Sequence, residues 1–116
     1  MHKRVIEISQ QLTDEGRPLV TTDWILAEFL GYAARPPNRD VAVRMVDRLR
    51  ESATVEVQPA THEQWEAGFQ LYRARPDKSW SQVDCISIWM CERLGITEVF
   101  TGDRHFDQAG LKILVK

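Results

Sequence analysis

Short β-branched apolar runs alternate with longer amphipathic segments along this chain, and this alternation restricts the fold more than any other feature. The runs predict strands at 19–22, 54–57, 96–100 and 111–115. The longer segments have the apolar spacing of helices at 5–12, 23–34, 39–52, 61–73 and 81–94. Strands that alternate with helices are typical of α/β proteins, so the sequence predicts a mostly parallel sheet covered by helices.

Local signals mark where several of the helices begin and end. Thr61 and Gln64 have the spacing of a capping box, which predicts a helix start at that point. Asp23 is predicted to cap the helix at 23–34, since Asp is a favoured N-cap residue. Gly95 is predicted to end the helix at 81–94.

Length and charge set limits on the class of protein. The 116 residues predict a single domain spanning 1–116. The net charge of -2 excludes a strongly basic field over the whole molecule, so contacts with nucleic-acid phosphates would need local cationic groups. Two such groups are present: Arg35, Arg39, Arg44, Arg48 and Arg50, and Arg73, Arg75 and Lys78. A solvated helix face is the simpler interpretation of each group.

The two cysteines and the apolar profile indicate the compartment. Cys85 and Cys91 are six residues apart, which is neither metal-binding nor redox spacing, so buried free thiols are predicted. A reducing environment follows from that interpretation. The sequence shows no signal peptide and no apolar run of membrane-spanning length, so a cytoplasmic protein with no membrane association is expected.

Three carboxylates stand where a parallel sheet would bring them to one edge. Asp103 follows the strand at 96–100, Glu28 lies early in the helix after the first predicted strand, and Asp84 lies in the first turn of its helix. Ligands of such sheets bind beyond the carboxyl ends of the strands. Glu28 has apolar sequence neighbours on both sides, which predicts a desolvated acid that needs a partner, a proton or a metal ion.

Each carboxylate also has a simpler interpretation. Ser81 and Asp84 have the spacing of a helix cap, and Asp103 fits a turn. Together, however, the three acids suit a hard divalent cation such as Mg²⁺ or Mn²⁺, which would activate water for phosphodiester hydrolysis. The histidines are scattered and offer no zinc spacing: His2, His62 and His105. The sequence also has no phosphate-binding glycine loop and no nucleophile elbow.

Several stretches carry a resemblance to a known family. The stretches "LVTTDWILAEFL", "DKSWSQVDCISIWMCERLGITEVFTGDRHFDQAG" and "LKILV" resemble a PIN domain, and in particular the VapC-type toxins of bacterial toxin–antitoxin modules. The resemblance implies a three-layer fold with helices on both faces of a mostly parallel central sheet. It also implies that Glu28, Asp84 and Asp103 bind Mg²⁺ or Mn²⁺, with Thr101 supporting this metal site. The implied activity is the cleavage of single-stranded RNA. The positions of His105 and Phe106 match the family without a settled role.

The chain departs from the family pattern at its start. A PIN domain opens with a central strand that ends in its first catalytic Asp, whereas this sequence begins within what resembles the following helix. Asp14 and Asp23 are the early aspartates, and neither follows an apolar run in the way the family's first strand requires, so the first central strand and the fourth ligand are expected to be missing. A misplaced start or a truncation is the favoured explanation over a degenerate remnant. The strands at 19–22 and 96–100 would then pair directly, expose their edges, or accept an element from another chain.

The sequence supports two functional hypotheses, one for an enzyme and one for a binding protein. The first is a metal-dependent endoribonuclease that acts on single-stranded RNA. The second is a catalytically impaired remnant that binds an antitoxin or a second copy of itself through apolar residues: Trp24, Phe29, Tyr32, Trp65 and Phe69. The resemblance implies a VapB-like antitoxin and a homodimer as partners. A receiver-like phosphoacceptor domain is excluded because it would need paired acids after its first strand and a Lys after its last.

Overall fold

The computed structural model describes residues 19–96, 98–99 and 112–113. Within them, four strands and four helices follow the order β1 (Leu19–Thr22), α1 (Asp23–Tyr32), α2 (Asn38–Glu51), β2 (Val55–Gln58), α3 (His62–Ala74), α4 (Gln82–Leu94), β3 (Glu98–Val99) and β4 (Lys112–Ile113). The predicted α/β alternation is confirmed. The bounds of the four helices and of β1 and β2 agree with the predicted ones to within about two residues. The helix predicted at 5–12 lies outside the described residues.

The strands pair in parallel. β1 pairs with β2 from Leu19 opposite Val55 to Thr22 opposite Gln58. β3 pairs with β4, with Glu98 opposite Lys112. Parallel neighbours need a long crossover connection, and α1 with α2 supplies it between β1 and β2. Among the described residues the two pairs form separate sheets. The predicted absence of a first strand concerns residues before Leu19, which lie outside the described part of the chain.

Side-chain caps fix the helix starts. The Thr61 hydroxyl accepts a hydrogen bond from the Gln64 backbone N–H at 3.2 Å, and the Gln64 side chain accepts one from Thr61, so the predicted capping box is confirmed. The prediction that Asp23 caps α1 was wrong. Thr22 is the N-cap, and its hydroxyl accepts from the Ile25 N–H at 3.2 Å. The Asp23 carboxylate instead has a tertiary partner, because it accepts from the Ala60 N–H.

The core is centred on α4. Cys85 and Ile86 are fully buried, and several further residues of the same helix are nearly so: Ile88, Met90 and Cys91. The predicted buried free thiols are therefore confirmed. Helix α3 lies so close to α4 that a methyl group added at Gly68 would overlap the Ile86 side chain. Helix α4 ends at Gly95, as predicted, with a left-handed φ of 69°.

In the part of the chain that the structure describes, every helix is too short or too polar to cross a bilayer.

Candidate active site

The carboxyl ends of β1 and β2 form one edge of their sheet. Thr22 is paired with Gln58, so both strands end at the same level, and α1 starts immediately from Thr22. The Asp23 carboxylate accepts a hydrogen bond of 3.0 Å from the N–H of Ala60, just beyond the end of β2. This hydrogen bond holds the first turn of α1 against the segment that leads into α3.

A buried glutamine joins α1 to α3. The Trp24 indole N–H donates to the Gln64 side-chain oxygen at 2.7 Å, and the same oxygen accepts from the Thr61 N–H at 3.1 Å. Gln64 is only 6% exposed. A buried amide with no partner would be costly, so these two bonds favour a single placement of α1 against α3.

A second glutamine joins α3 to α4. The Gln82 side-chain nitrogen donates to the backbone oxygen of Trp65 at 2.9 Å, which sets the first turn of α4 beside the first turn of α3. Helix α1 also contacts α4 directly. The N-terminal ends of three helices are thus linked in sequence, starting at the carboxyl edge of β1 and β2. Parallel α/β proteins bind ligands at such an edge, and helix N-termini there favour anions.

Asp84 lies at these linked helix N-termini, because it is the third residue of α4. One of its carboxylate oxygens accepts from the Ser81 N–H at 3.0 Å, and the Ser81 hydroxyl accepts from the Asp84 N–H at 3.0 Å. The predicted cap is therefore present as a full capping box. A cap does not compete with ligation, since an ionised carboxylate offers about four lone-pair sites. It holds the half-buried Asp84 carboxylate in one orientation at the edge.

Glu28 lies on α1, one helical turn after Trp24 and on the same side of the helix. The expectation that Glu28 is desolvated was wrong, because its side chain is exposed. Apolar sequence neighbours do not indicate burial in this helix, because several apolar residues of α1 are themselves exposed: Ile25, Leu30 and Tyr32. Glu28 is nevertheless carried by the helix that contacts α4.

The remaining predicted site residues lie outside the described residues. These are Thr101 and Asp103, together with His105 and Phe106. Within the described ranges, no three His, Cys, Asp or Glu side chains are grouped to hold a metal ion. Only two of the three predicted carboxylates fall in those ranges, so the metal centre stays a prediction.

Two grooves lie away from these carboxylates. The larger, of about 380 Å³, lies beside β2 and is lined by Asp23, Arg50, Val55, Val57 and Pro59. The smaller, of about 210 Å³, lies between α1 and α2 and is lined by Leu30, Ala33, Arg39, Ala42 and Val43. Neither includes Glu28 or Asp84 in its lining.

Sequence reasoning missed the two glutamine contacts that order the edge. Gln64 was found only as a local cap, and nothing in the sequence pairs it with Trp24, which lies 40 residues away. Gln82 carries no local signal for its bond to Trp65.

Taken together, the fold and this edge define an α/β protein in which a capped carboxylate stands where three helix N-termini are linked. Its sequence matches the PIN domain profile over residues 1–112, so the chain belongs to the PIN domain family. The solved structure of VapC20 from Mycobacterium tuberculosis, a sarcin–ricin loop cleaving toxin, has the same fold. The two superpose with a TM-score of 0.75 over 88% of this chain and 78% of that chain, at 23% sequence identity. No curated protein matches the sequence.

Proposed function

We propose that this chain is a metal-dependent endoribonuclease of the VapC type, which hydrolyses phosphodiester bonds in single-stranded RNA. Glu28, Asp84 and Asp103 are the proposed metal ligands, and Thr101 supports them. Mg²⁺ or Mn²⁺ is the proposed ion, since hard cations of this kind prefer carboxylate oxygens. A VapB-like antitoxin is the proposed protein partner.

The observation that carries the proposal is the placement of Asp84. Its carboxylate is oriented by the Ser81 N–H at the first turn of α4, and α4 contacts the helix that bears Glu28. Membership of the PIN domain family and the shared fold with a toxin that cleaves the sarcin–ricin loop favour RNA as the substrate.

The donor set fits a divalent ion, because both described candidates are carboxylates carried by helices in contact. When bound, such an ion lowers the pKa of a coordinated water and stabilises charge on a phosphate under attack. The chain's own contribution is positioning. Ser81 fixes one oxygen of Asp84, and the bonds through Gln64 and Gln82 fix α1 and α4 relative to α3.

Asp84→Asn tests this proposal. The amide oxygen of Asn can still accept from the Ser81 N–H, so the helix cap and the fold are retained while the negative charge is removed. We expect cleavage of a labelled single-stranded RNA with Mn²⁺ or Mg²⁺ to fall by roughly 100-fold or more. Circular dichroism and the urea midpoint should stay close to those of the unsubstituted chain.

Asp47→Asn is the matched control, because Asp47 is an exposed acid of α2 and its substitution removes the same charge. It should cleave at the rate of the unsubstituted chain. Unchanged cleavage by Asp84→Asn would remove Asp84 from the site. A folded chain that cleaves no RNA with either ion would overturn the nuclease proposal.

One observation favours a second function, protein binding without catalysis. Leu30 and Val43 are 40% and 49% exposed beside the smaller groove, and Tyr32, near the end of the same helix as Leu30, is 89% exposed. Exposed apolar surface of this kind marks interaction sites. A second copy of this chain or an antitoxin segment would cover it.

A further inference from the structure

The segment between α3 and α4 holds two cations over one buried ring. Trp80 is only 5% exposed. The Arg75 guanidinium lies 5.2 Å from the centre of its indole, and the Lys78 ammonium lies 5.9 Å from it. Both distances are within the range of cation–π attraction. A buried Trp therefore fixes two positive groups on a surface segment that has no regular secondary structure.

Asp77 is paired with both cations, more closely with Arg75 than with Lys78. Arg75 binds the Asp77 carboxylate through two parallel hydrogen bonds of 3.1 Å, which is the strong, bidentate arrangement. Lys78 lies farther from the same carboxylate, at 3.7 Å. The Arg75 guanidinium holds the pKa of Asp77 below its usual value, so this carboxylate stays ionised and paired. Two cations and one carboxylate leave this cluster with a net positive charge, and Lys78 is the less closely paired of the two cations.

Lys78 is also partly ordered before any ligand arrives. Its side chain is 23% exposed, so much of its hydrocarbon stem is covered while the ammonium lies over Trp80. A long side chain that is already restricted loses less rotamer entropy on binding than a fully solvated Lys. This separates Lys78 from the exposed arginines of α2.

The position of Lys78 relates it to the proposed active site. It lies three residues before Ser81, whose N–H binds the Asp84 carboxylate. Three residues of chain span at most about 11 Å. That span is short enough for one strand of RNA to place one phosphate at Asp84 and a nearby phosphate at Lys78.

We propose that Lys78 binds a backbone phosphate of the single-stranded RNA substrate, next to the phosphate that is cleaved. This inference rests on the proposed ribonuclease function. Arg75, Asp77 and Trp80 act as positioning residues that hold the Lys78 ammonium at the surface. The contact is with the backbone, so it contributes affinity and register without reading the base sequence.

Salt-dependent RNA binding tests the inference. Lys78→Met keeps an unbranched apolar stem over Trp80 and removes the charge, and Lys78→Arg restores the charge. Binding of a fluorescein-labelled single-stranded RNA would be measured by anisotropy in EDTA, so that no cleavage occurs, across a series of KCl concentrations. We expect Lys78→Met to raise Kd roughly two- to fivefold. The slope of log Kd against log salt should fall by about 0.7, the value for one lost phosphate contact on a single strand.

The controls separate a specific contact from a general loss of charge. Arg48→Ala removes one positive charge from the exposed face of α2 and should leave the slope unchanged. Lys78→Arg should restore it. In cleavage assays with Mn²⁺, the RNA concentration that gives half the maximal rate should rise with the Kd of Lys78→Met and stay unchanged for Arg48→Ala.

The outcomes distinguish this inference from the function on which it rests. If the unsubstituted chain cleaves RNA while Lys78→Met retains its slope and Kd, the inference is wrong and the ribonuclease proposal stands. Equal loss of slope in Arg48→Ala and Lys78→Met would also overturn it, because the effect would be one of net charge. If the unsubstituted chain neither binds nor cleaves RNA, the proposed function fails and the inference fails with it.

Discussion

At the scale of the residue, Asp84 shows how one side chain can serve the fold and a site together. Its capping box with Ser81 is a local interaction that stabilises the first turn of α4, by about 1 kcal/mol for caps of this kind. The same bond prevents the carboxylate from rotating away from the edge. Glu28 is exposed, which shows that apolar sequence neighbours do not establish burial.

The two cysteines give a prediction at the residue scale. Burial raises the pKa of the Cys85 thiol, with the Asp84 charge adding to the shift, and burial likewise raises the pKa of Cys91. Both thiols are therefore protonated and covered in the native chain. We expect neither to react with a disulfide reagent at pH 8 within minutes, and both to react once guanidinium unfolds the protein.

The same shifts set the sign of a pH effect. A thiol that binds its proton more tightly when folded adds stability below its unfolded pKa of about 8.5, and this contribution is lost as pH rises through the higher folded value. The urea midpoint should therefore fall as pH rises above that point. Rapid labelling of the native chain at pH 8 would contradict the burial of both thiols.

At the scale of the element, the packing of α3 on α4 depends on the absence of a side chain at Gly68. A Cβ there would overlap the Ile86 side chain and lie 3.1 Å from the Ile86 backbone nitrogen. This contact allows the first turns of the two helices to approach closely enough for the Gln82 bond to Trp65. The placement of Asp84 therefore depends on a glycine in the neighbouring helix.

Gly68→Ala tests this dependence. Ala is favoured over Gly in a helix by about 1 kcal/mol, but the overlap with the fully buried Ile86 should outweigh that gain. We expect the free energy of unfolding to fall by roughly 1–3 kcal/mol, measured by urea denaturation.

Gly31→Ala is the matched control within α1, since a Cβ at Gly31 meets nothing within 4 Å. Its free energy of unfolding should rise by roughly 0.5–1 kcal/mol. Equal stabilisation by both substitutions would mean that α3 and α4 separate at no cost.

At the scale of the whole molecule, the described residues leave part of the apolar surface of α1 and α2 uncovered. Tyr32 is 89% exposed, and Leu30 and Val43 border a groove of about 210 Å³. The proposed homodimer would bury this surface, and burial of apolar area is the main contribution to association.

Tyr32→Ser tests this interface. If a second copy covers α1, light scattering after size exclusion should give a dimer mass for the unsubstituted chain and a lower mass for Tyr32→Ser at the same concentration. Tyr72→Ser on α3 is the control, since it removes another exposed tyrosine outside this surface. A monomeric unsubstituted chain would exclude the homodimer and leave an antitoxin segment as the proposed occupant.

The sequence by itself determined the order of the described elements and most of their bounds. It also predicted the capping box at Thr61 and, as the simpler interpretation of Asp84, a helix cap at Ser81. These features depend on apolar period and on hydrogen bonds between residues three apart, so a few neighbouring residues specify them.

Only the tertiary structure decided which helix ends meet and which acids are exposed. Asp23 is held by Ala60, 37 residues away, and Trp24 by Gln64, 40 residues away. The structure also shows that Glu28 is exposed, against the expectation from its sequence neighbours. Burial depends on what packs against a side chain, and those partners come from distant parts of the chain that local spacing cannot specify.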